Sequence, residues 1–272
     1  GAASLPGLLR GRAGIAVVNQ GGLGKLSTLS MRGTESDHLV VLVDGVRVGS
    51  ATSGLVAWQD IPLEQVERIE IVRGPRSSLY GADAIGGVIQ LFTRRDADAR
   101  GLRPRALLAA GSLGLRETAL GFDARGARGG VSLDVGHQAS DGIDACRGFL
   151  DPATFAGAGC FVQVPDPDRD GYRSTNASLR ADFAPGEAWQ FGAQALRAEG
   201  RNAYDADPMW GLPDNSQVLQ QVVGGDARWR ASDTLQLRLV AGRNTDASDN
   251  FLGRDFVDRF QTRRDSASLQ AD

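Results

Sequence analysis

The part of the chain that follows about residue 104 alternates between apolar and polar residues with a period of two. Val131, Leu133 and Val135, for example, are separated by Ser132 and Asp134. Because successive side chains of a strand point to opposite faces, this pattern predicts strands with one apolar and one polar face. Seven or eight such strands follow one another, each of about ten residues or slightly more.

The connections between these strands alternate in length. Short turns lie at 184–186 and 231–233, and long polar loops lie at about 141–171 and 200–216. Such alternation is typical of a transmembrane β-barrel, whose strands must all be paired because lipid offers no hydrogen bonds. A water-soluble antiparallel barrel or sandwich alternates in the same way, so the pattern leaves both folds open. A helical membrane protein is excluded, because no stretch approaches the about 18 uncharged apolar residues of a spanning helix.

The first hundred residues predict a different, mixed structure. Expected elements are a strand at 39–43 that turns at Asp44 and Gly45 into a strand at 46–48, a short helix at 62–66, and strands at 66–72 and 85–92. We therefore expect an α+β domain over 1–100, followed over 101–272 by part of a large antiparallel barrel. The sequence starts at Gly1 without a Met or a signal segment and stops within an alternating pattern at 268–272, so we expect a piece of a longer protein.

Glycine and arginine motifs recur through the first domain, at 30–34, 40–47, 61–81 and 83–89. They resemble the plug domain of TonB-dependent outer-membrane transporters, and the likeness covers most of 1–95. It implies the outer membrane of a Gram-negative bacterium, a barrel of about 22 strands filled by the plug, a TonB-type energy-transducing partner and outer-membrane lipid around the barrel. The arginines are too many for a small soluble core, so we expect them to pair with carboxylates on the barrel wall. The alternative is that they cap helices or coat a surface. They are Arg32, Arg47, Arg73 and Arg76.

The likeness continues past the plug and is greatest to the cobalamin-transporting members of that family. Segments at 142–144, 168–172 and 204–206 carry it. It implies that cobalamin or a similar large nutrient is bound by plug loops and a barrel loop. The implied residues are Leu26, Thr28, Glu35, Thr52, Ser53, Tyr204 and Ala206. Glu35 replaces an amide of the family pattern, and the loop around Thr52 is one residue shorter.

Alternating aspartates precede a glycine at 166–171. This is the first half of a calcium loop or an ordinary acidic surface loop, and an EF-hand is excluded because its twelfth position is Ala177. The resemblance implies calcium that orders the extracellular loops. Its implied ligands are Asp144, Asp166, Asp168, Asp170, Asp205 and Asp214, of which Asp166 departs from the family's amide.

Cys146 and Cys160 lie in the first long loop. A disulfide between them is expected if that loop is extracellular, and two reduced thiols are expected in a cytosolic protein.

Other functional classes lack their signatures. With 30 basic and 33 acidic residues the net charge is −3, so nothing indicates a nucleic-acid partner. No phosphate loop, HExxH zinc motif or Gly-x-Ser-x-Gly elbow is present, so we expect no enzyme.

The sequence thus predicts TonB-dependent import of cobalamin. A receptor for a siderophore or another nutrient would keep the plug without needing the aspartates. A second alternative is a calcium-stabilised cell-surface interaction protein with no role in transport.

Overall fold

The computed structural model contains an eight-stranded antiparallel sheet that curves around a smaller mixed domain. It describes residues 4–50, 54–81, 83–95, 100–144, 149–150, 157–158, 168–205 and 211–272. The sheet is open, with its first and last strands as edges. The expectation of an α+β domain followed by successive strands of a large antiparallel sheet is confirmed. We call the small domain, up to residue 95, the plug and the large sheet, from residue 101, the wall. No helix within the described ranges is long and apolar enough to cross a membrane.

The small domain is built around a four-stranded sheet of order β4-β3-β6-β5. Its elements are α1 (Leu5–Leu9), β1 (Ile15–Asn19), β2 (Ser27–Met31), a 3-10 helix (Ser36–His38), β3 (Leu39–Val43), β4 (Val46–Val48), 3-10 helices Trp58–Asp60 and Leu63–Gln65, β5 (Val66–Arg73), α2 (Ser77–Tyr80) and β6 (Gly87–Thr93). The predicted hairpin is confirmed. Its turn has positive φ at Asp44 (49°) and Gly45 (89°), which is the backbone that a two-residue hairpin requires.

The large sheet runs in chain order apart from a short pair, β10 and β11, in the first long loop. Its elements are β7 (Gly101–Ala110), β8 (Arg116–Arg125), β9 (Gly129–Ser140), β10 (Phe149–Leu150), β11 (Gly157–Ala158), β12 (Tyr172–Phe183), β13 (Trp189–Ala203), β14 (Asn215–Ser232), β15 (Leu235–Leu252) and β16 (Asp255–Ala271). β14 and β15 each have 18 residues and are the longest strands of the sheet.

The apolar core lies inside the small domain and extends onto the wall. Leu29, Met31 and Ile89 are fully buried, and their cluster includes the wall residues Leu196 and Val222. At two positions the plug lies so close to the wall that no side chain would fit between them. A Cβ placed on Gly224 or Gly242 would lie 2.6 or 2.5 Å from Cγ2 of Val46, the first residue of β4. Glycine at these two positions lets the plug pack directly on the wall backbone.

Candidate functional site

A buried ion pair joins the end of β3 to the wall. Arg180 on β12 places a guanidinium nitrogen 2.7 Å from Oδ1 of Asp44, and both side chains are almost fully buried. The backbone N–H and the hydroxyl of Thr93 also donate to the Asp44 carboxylate. Here the carboxylate belongs to the plug and the arginine to the wall.

The expected pairing of plug arginines with wall carboxylates is not what the described residues show. Arg47 pairs with Asp83 of the plug itself. Arg73 and Arg76 donate to backbone carbonyls of the plug, those of Ala13 and Pro75. The guanidinium of Arg32 lies beside Gly74, also in the plug. An exposed guanidinium forms hydrogen bonds with acceptors close to it. The large number of arginines in the plug therefore does not predict which partners they have.

A second set of contacts involves two neighbouring inward positions of β12. Asn176 donates to Oε1 of Glu64 at 2.5 Å and accepts from Nε2 of Gln65 at 2.6 Å. The hydroxyl of Ser178 donates to Oε1 of Gln65. Together with the Asp44–Arg180 pair, these hydrogen bonds connect one side of the plug to β12 through buried polar groups.

A cavity of about 780 Å³ lies between the plug loops and the inner face of the wall. Its size is within the range of about 300–1,000 Å³ of pockets that hold small organic ligands. The plug supplies Gln20, Gly24, Lys25, Leu26, Ser50, Leu55, Val56, Ala57, Gln59 and Asp60. The wall and its loops supply Asn202, Tyr204, Asp205, Ser216, Val218, Asp246, Ser248, Asn250, Phe260 and Thr262, together with Ala247 and Gln261, which the register places on the outward face.

The cavity brings together two of the residues that the resemblance implied for substrate. Leu26, 44 % exposed, and the half-buried Tyr204 both line it. Thr28 lies in β2, paired with Val18, and the exposed Glu35 precedes the 3-10 helix that starts at Ser36; neither lines the cavity. The other three implied contacts lie outside the described residues: Thr52, Ser53 and Ala206.

Two carboxyl groups face the cavity from opposite sides, Asp60 of the plug and Asp246 of β15. Burial and, to a smaller extent, the nearby charge of Asp246 together raise the pKa of Asp60 to about 8. The amide of Gln59, which donates to Asp60 Oδ2 at 3.2 Å, opposes that rise. Asp60 therefore holds a proton at neutral pH. No local pattern indicates this, because the burial of Asp60 depends on wall strands far along the chain.

Carboxylate oxygens of Asp168, Asp170 and Asp205 lie within 4.8 Å of one another. They come from two loops at the same rim, the one before β12 and the one between β13 and β14. Hard oxygen ligands that converge in this way suit Ca²⁺, which takes about six to eight of them. The fit is thus reasonable for three of the six expected ligands.

Of the other expected ligands, the two that the structure describes, Asp144 and Asp214, are not part of this group. Asp144 is not part of the described group, although the preceding carbonyl of Ile143 accepts from the Asp170 N–H at 2.9 Å. Asp214 accepts from the N–H of Gly253 in the β15–β16 turn at 3.0 Å. Asp166, Cys146 and Cys160 lie outside the described residues.

Lys25 connects the plug to this acidic group. It is 2 % exposed, and its ammonium donates to the carbonyl of Asp170 at 2.9 Å and to Asn202 Oδ1 at 2.7 Å. Burial lowers the pKa of Lys25, and the carboxylates of Asp170, Asp205 and Asp168 oppose that shift. Sequence reasoning did not assign it a role, although it is the chain's only lysine.

Known proteins are similar to this chain in both the plug and the wall. Residues 1–88 match the family described as TonB-dependent receptor plug domain. The chain is 38% identical over 218 residues to the vitamin B12 transporter BtuB of Vibrio cholerae, covering 80% of this chain and 33% of that protein. It is 30% identical over 270 residues to the BtuB of Photobacterium profundum, covering 99% and 41%.

Among solved structures, the ferric yersiniabactin uptake receptor FyuA of Yersinia pestis superposes with a TM-score of 0.72 at 20% identity, over 100% of this chain and 43% of that one. This likeness shows the fold. The chain spans about a third to two fifths of the length of the curated relatives it matches. It belongs to the TonB-dependent receptors of the Gram-negative outer membrane, and its plug and adjoining wall are similar to those of the vitamin B12 transporters.

Proposed function

We propose that the chain is the plug and adjoining wall of a receptor that imports cobalamin across the outer membrane. The observation that carries this proposal is the extent of the likeness to the V. cholerae vitamin B12 transporter. At 38% identity it covers 218 residues, far more than the 88 of the plug family, so it includes much of the wall. The siderophore receptor of known structure shares the fold at only 20% identity.

The cavity between plug and wall is the place proposed for the ligand. Leu26, Val56 and Phe260 offer apolar surface, and Gln59 and Tyr204 offer groups that form hydrogen bonds. A large amphipathic ligand such as a corrinoid needs both. Since the plug forms one side of this cavity, a bound ligand would contact plug and wall together.

Calcium is the proposed ligand of the group formed by Asp168, Asp170 and Asp205. The oxygens of these carboxylates converge, and the ammonium of Lys25 lies beside them. A bound cation would reduce the repulsion among the carboxylates and hold the two loops together beside the cavity. Tyr204, which lines the cavity, precedes Asp205 directly, so an ordered Asp205 would also fix the position of that ring.

Release of the ligand into the periplasm requires the plug to move or rearrange, because it fills the space that the wall encloses. The outer membrane holds no nucleotide, so we propose that a TonB-type partner supplies the work by pulling on the plug. The contacts with β12 through Asp44, Glu64 and Gln65 are polar, and their groups can form hydrogen bonds with water once they separate.

Titration calorimetry on the full-length receptor tests the proposal, with cyanocobalamin as ligand and with calcium or EDTA in the buffer. Tight binding that calcium strengthens supports both parts. Tight binding that EDTA leaves unchanged supports cobalamin and excludes the role of calcium. No binding of cyanocobalamin, together with binding of a ferric siderophore, excludes cobalamin as the substrate.

A matched pair of variants locates the effect of calcium. Replacing Asp168, Asp170 and Asp205 by asparagine should abolish the response to calcium. Asp233→Asn, in an exposed turn at the opposite rim, should retain it. An unchanged response in the triple variant would place calcium elsewhere.

A further inference from the structure

The outer face of the large sheet is divided into an apolar band and a charged belt. On β13 the outward residues are Trp189, Phe191, Ala193 and Ala195, and the next three outward positions are Arg197, Glu199 and Arg201. Residues opposite these on the neighbouring strands share their face, because cross-strand partners point to the same side of a sheet.

The same division runs across the other strands. Apolar outward residues nearer the short turns are Leu120, Phe122, Leu133, Val135, Leu179, Phe183, Val223, Trp229, Leu237, Leu239 and Leu269. Polar and charged outward residues nearer the long loops are Arg116, His137, Arg173, Gln217, Arg243, Asp249, Arg259, Gln261, Arg263 and Asp265. We call the second set, with Arg197, Glu199 and Arg201, the outer belt.

The height of the apolar band matches a membrane. Trp189 stacks on Phe191 and on Trp229, with ring centroids 5.6 and 5.5 Å apart, and marks the aromatic interface at the short-turn rim. From Trp189 to Arg197 is about eight residues, or about 20 Å along the membrane normal for strands tilted by about 40°. That is close to the about 25 Å apolar band of outer-membrane barrels. The outer belt therefore begins at the level of the lipid headgroups.

Most charges of the outer belt near its centre are paired with each other. Arg197 pairs with Glu199, Arg259 with Asp249, and Arg243 donates to both oxygens of Asp265 at 2.6 and 2.9 Å. These pairs satisfy both signs of charge without any ligand.

Arg173 and Arg201 differ from those pairs. They lie directly opposite one another on β12 and β13, both exposed, and no carboxylate forms a salt bridge with either within the described ranges. Like charges in directly opposite positions destabilise a sheet. An anion between the two guanidinium groups would remove that repulsion.

The two arginines line a shallow depression of about 500 Å³ on this face. Thr175, His137 and Gln217 line it too and offer further hydrogen-bond donors. Its two carboxylates, Glu199 and Asp249, are the ones already paired with Arg197 and Arg259. The depression is thus open, rich in donors and positively charged.

We propose that Arg173 and Arg201 bind the phosphate of a lipid headgroup in the outer leaflet. A guanidinium presents its N–H groups as a planar fork that matches two oxygens of a phosphate. The ligand is a lipid rather than a soluble anion because the apolar band starts directly below, at Ala177 and Ala195 on the same two strands, where acyl chains lie. The inference depends on the place of the barrel in the membrane and is independent of the cargo.

Binding of bis-phosphorylated lipid A to the full-length receptor in detergent micelles tests this proposal, measured by native mass spectrometry. The variant with Arg173→Gln and Arg201→Gln should bind about 30-fold more weakly, since each basic side chain near anionic lipid contributes about one kcal/mol. The matched control combines Arg243→Gln with Asp265→Asn, which removes a paired arginine from the same belt, and should bind within about threefold of the unaltered receptor.

Two further arms separate a lipid headgroup from a free anion. Dephosphorylated lipid A should bind the unaltered receptor as weakly as the phosphorylated lipid binds the glutamine variant. Inorganic phosphate in excess should displace the lipid only slightly. The proposal is overturned if the glutamine variant binds as well as the unaltered receptor, if removal of the phosphates has no effect, or if inorganic phosphate competes fully.

A lysine pair keeps the test decisive if the glutamine variant does not fold. Arg173→Lys with Arg201→Lys retains the charge but loses the planar fork. Binding should be several-fold weaker than in the unaltered receptor and stronger than that of dephosphorylated lipid A. Unchanged binding by the lysine pair would contradict the role of the two forks.

Discussion

The plug and the wall are stabilised by different interactions, and the boundary between them differs from both. The plug has a closed apolar core around Leu29, Met31 and Ile89. The wall is held by backbone ladders, and many of its apolar side chains point outward, although Leu196 and Val222 join the core. Between them lie buried polar contacts, of which the Asp44–Arg180 ion pair is the most enclosed. A boundary of this kind is specific when closed, and its groups can be hydrated when it opens.

The largest effect should come from breaking the buried ion pair. Arg180→Ala leaves the carboxylate of Asp44, 3 % exposed, without its cation, and we expect a loss of about 3–5 kcal/mol in the stability of the docked plug. Urea unfolding of the full-length receptor, followed by limited proteolysis of the plug, measures it. Arg10→Ala, at an exposed plug position, is the control. An unchanged urea midpoint for Arg180→Ala would show that the ion pair does not hold the plug.

The next largest effect should depend on pH, through Asp60. Its pKa is raised to about 8 in the folded protein, against about 4 in an unfolded chain. The folded state therefore binds more protons between these values, and the contribution of Asp60 to stability falls as the pH rises from about 4 to 8. Asp60→Asn should melt with the unaltered receptor at pH 4 and be more stable at pH 8, by no more than about 5 kcal/mol.

Thermal unfolding at the two pH values measures this difference, with Asp233→Asn as a control at an exposed turn. If Asp60→Asn were less stable at pH 8, the carboxylate would be ionised and paired in the folded receptor. Asp246→Asn should reproduce part of the gain, because the charge of Asp246 contributes to the raised pKa of Asp60.

How far the sequence predicts this molecule depends on how local each signal is. The hairpin at 39–48 is encoded by a buried strand followed by Asp-Gly, and the wall strands by alternation, so both are found from neighbouring residues. The cavity cannot be found from neighbouring residues, because Asp60 of the plug and Asp246 of the wall line it together. The partner of Asp44 could not be found either, since Arg180 is far along the chain and arginine is abundant.

The candidate ligands show the same limit. Asp168 and Asp170 are separated by one residue in sequence, and their convergence with Asp205 is a contact between two loops that only the resemblance implied. The contact of Asp214 with Gly253 depends instead on where the β15–β16 turn folds back, which no local pattern encodes. The composition contains one informative feature, because Lys25 is the only lysine in a chain rich in arginine. The structure shows that this lysine is buried.

A smaller effect should follow from filling the space where the plug touches the wall backbone. In Gly224→Ala the new Cβ lies 2.6 Å from Val46 Cγ2 and 2.9 Å from the carbonyl of Ala241, so we expect a loss of about 1–2 kcal/mol in urea unfolding. Val46→Ala in the same chain should restore part of it. Gly186→Ala, with nothing near its Cβ, should have no effect. A Gly224→Ala receptor of unchanged stability would mean that plug and wall are less tightly packed than described.

The smallest effect concerns the ion pair within the plug. Arg47 and Asp83 are partly exposed, with side chains 26% and 55% accessible, and pairs of this kind contribute about 0–1 kcal/mol. Arg47→Ala should therefore lower the urea midpoint much less than Arg180→Ala does, and most of its small effect should disappear at high salt. If the two substitutions cost the same, Arg47 would hold the plug to a carboxylate of the wall, and the polarity of the boundary would be the reverse of the one that Asp44 and Arg180 display.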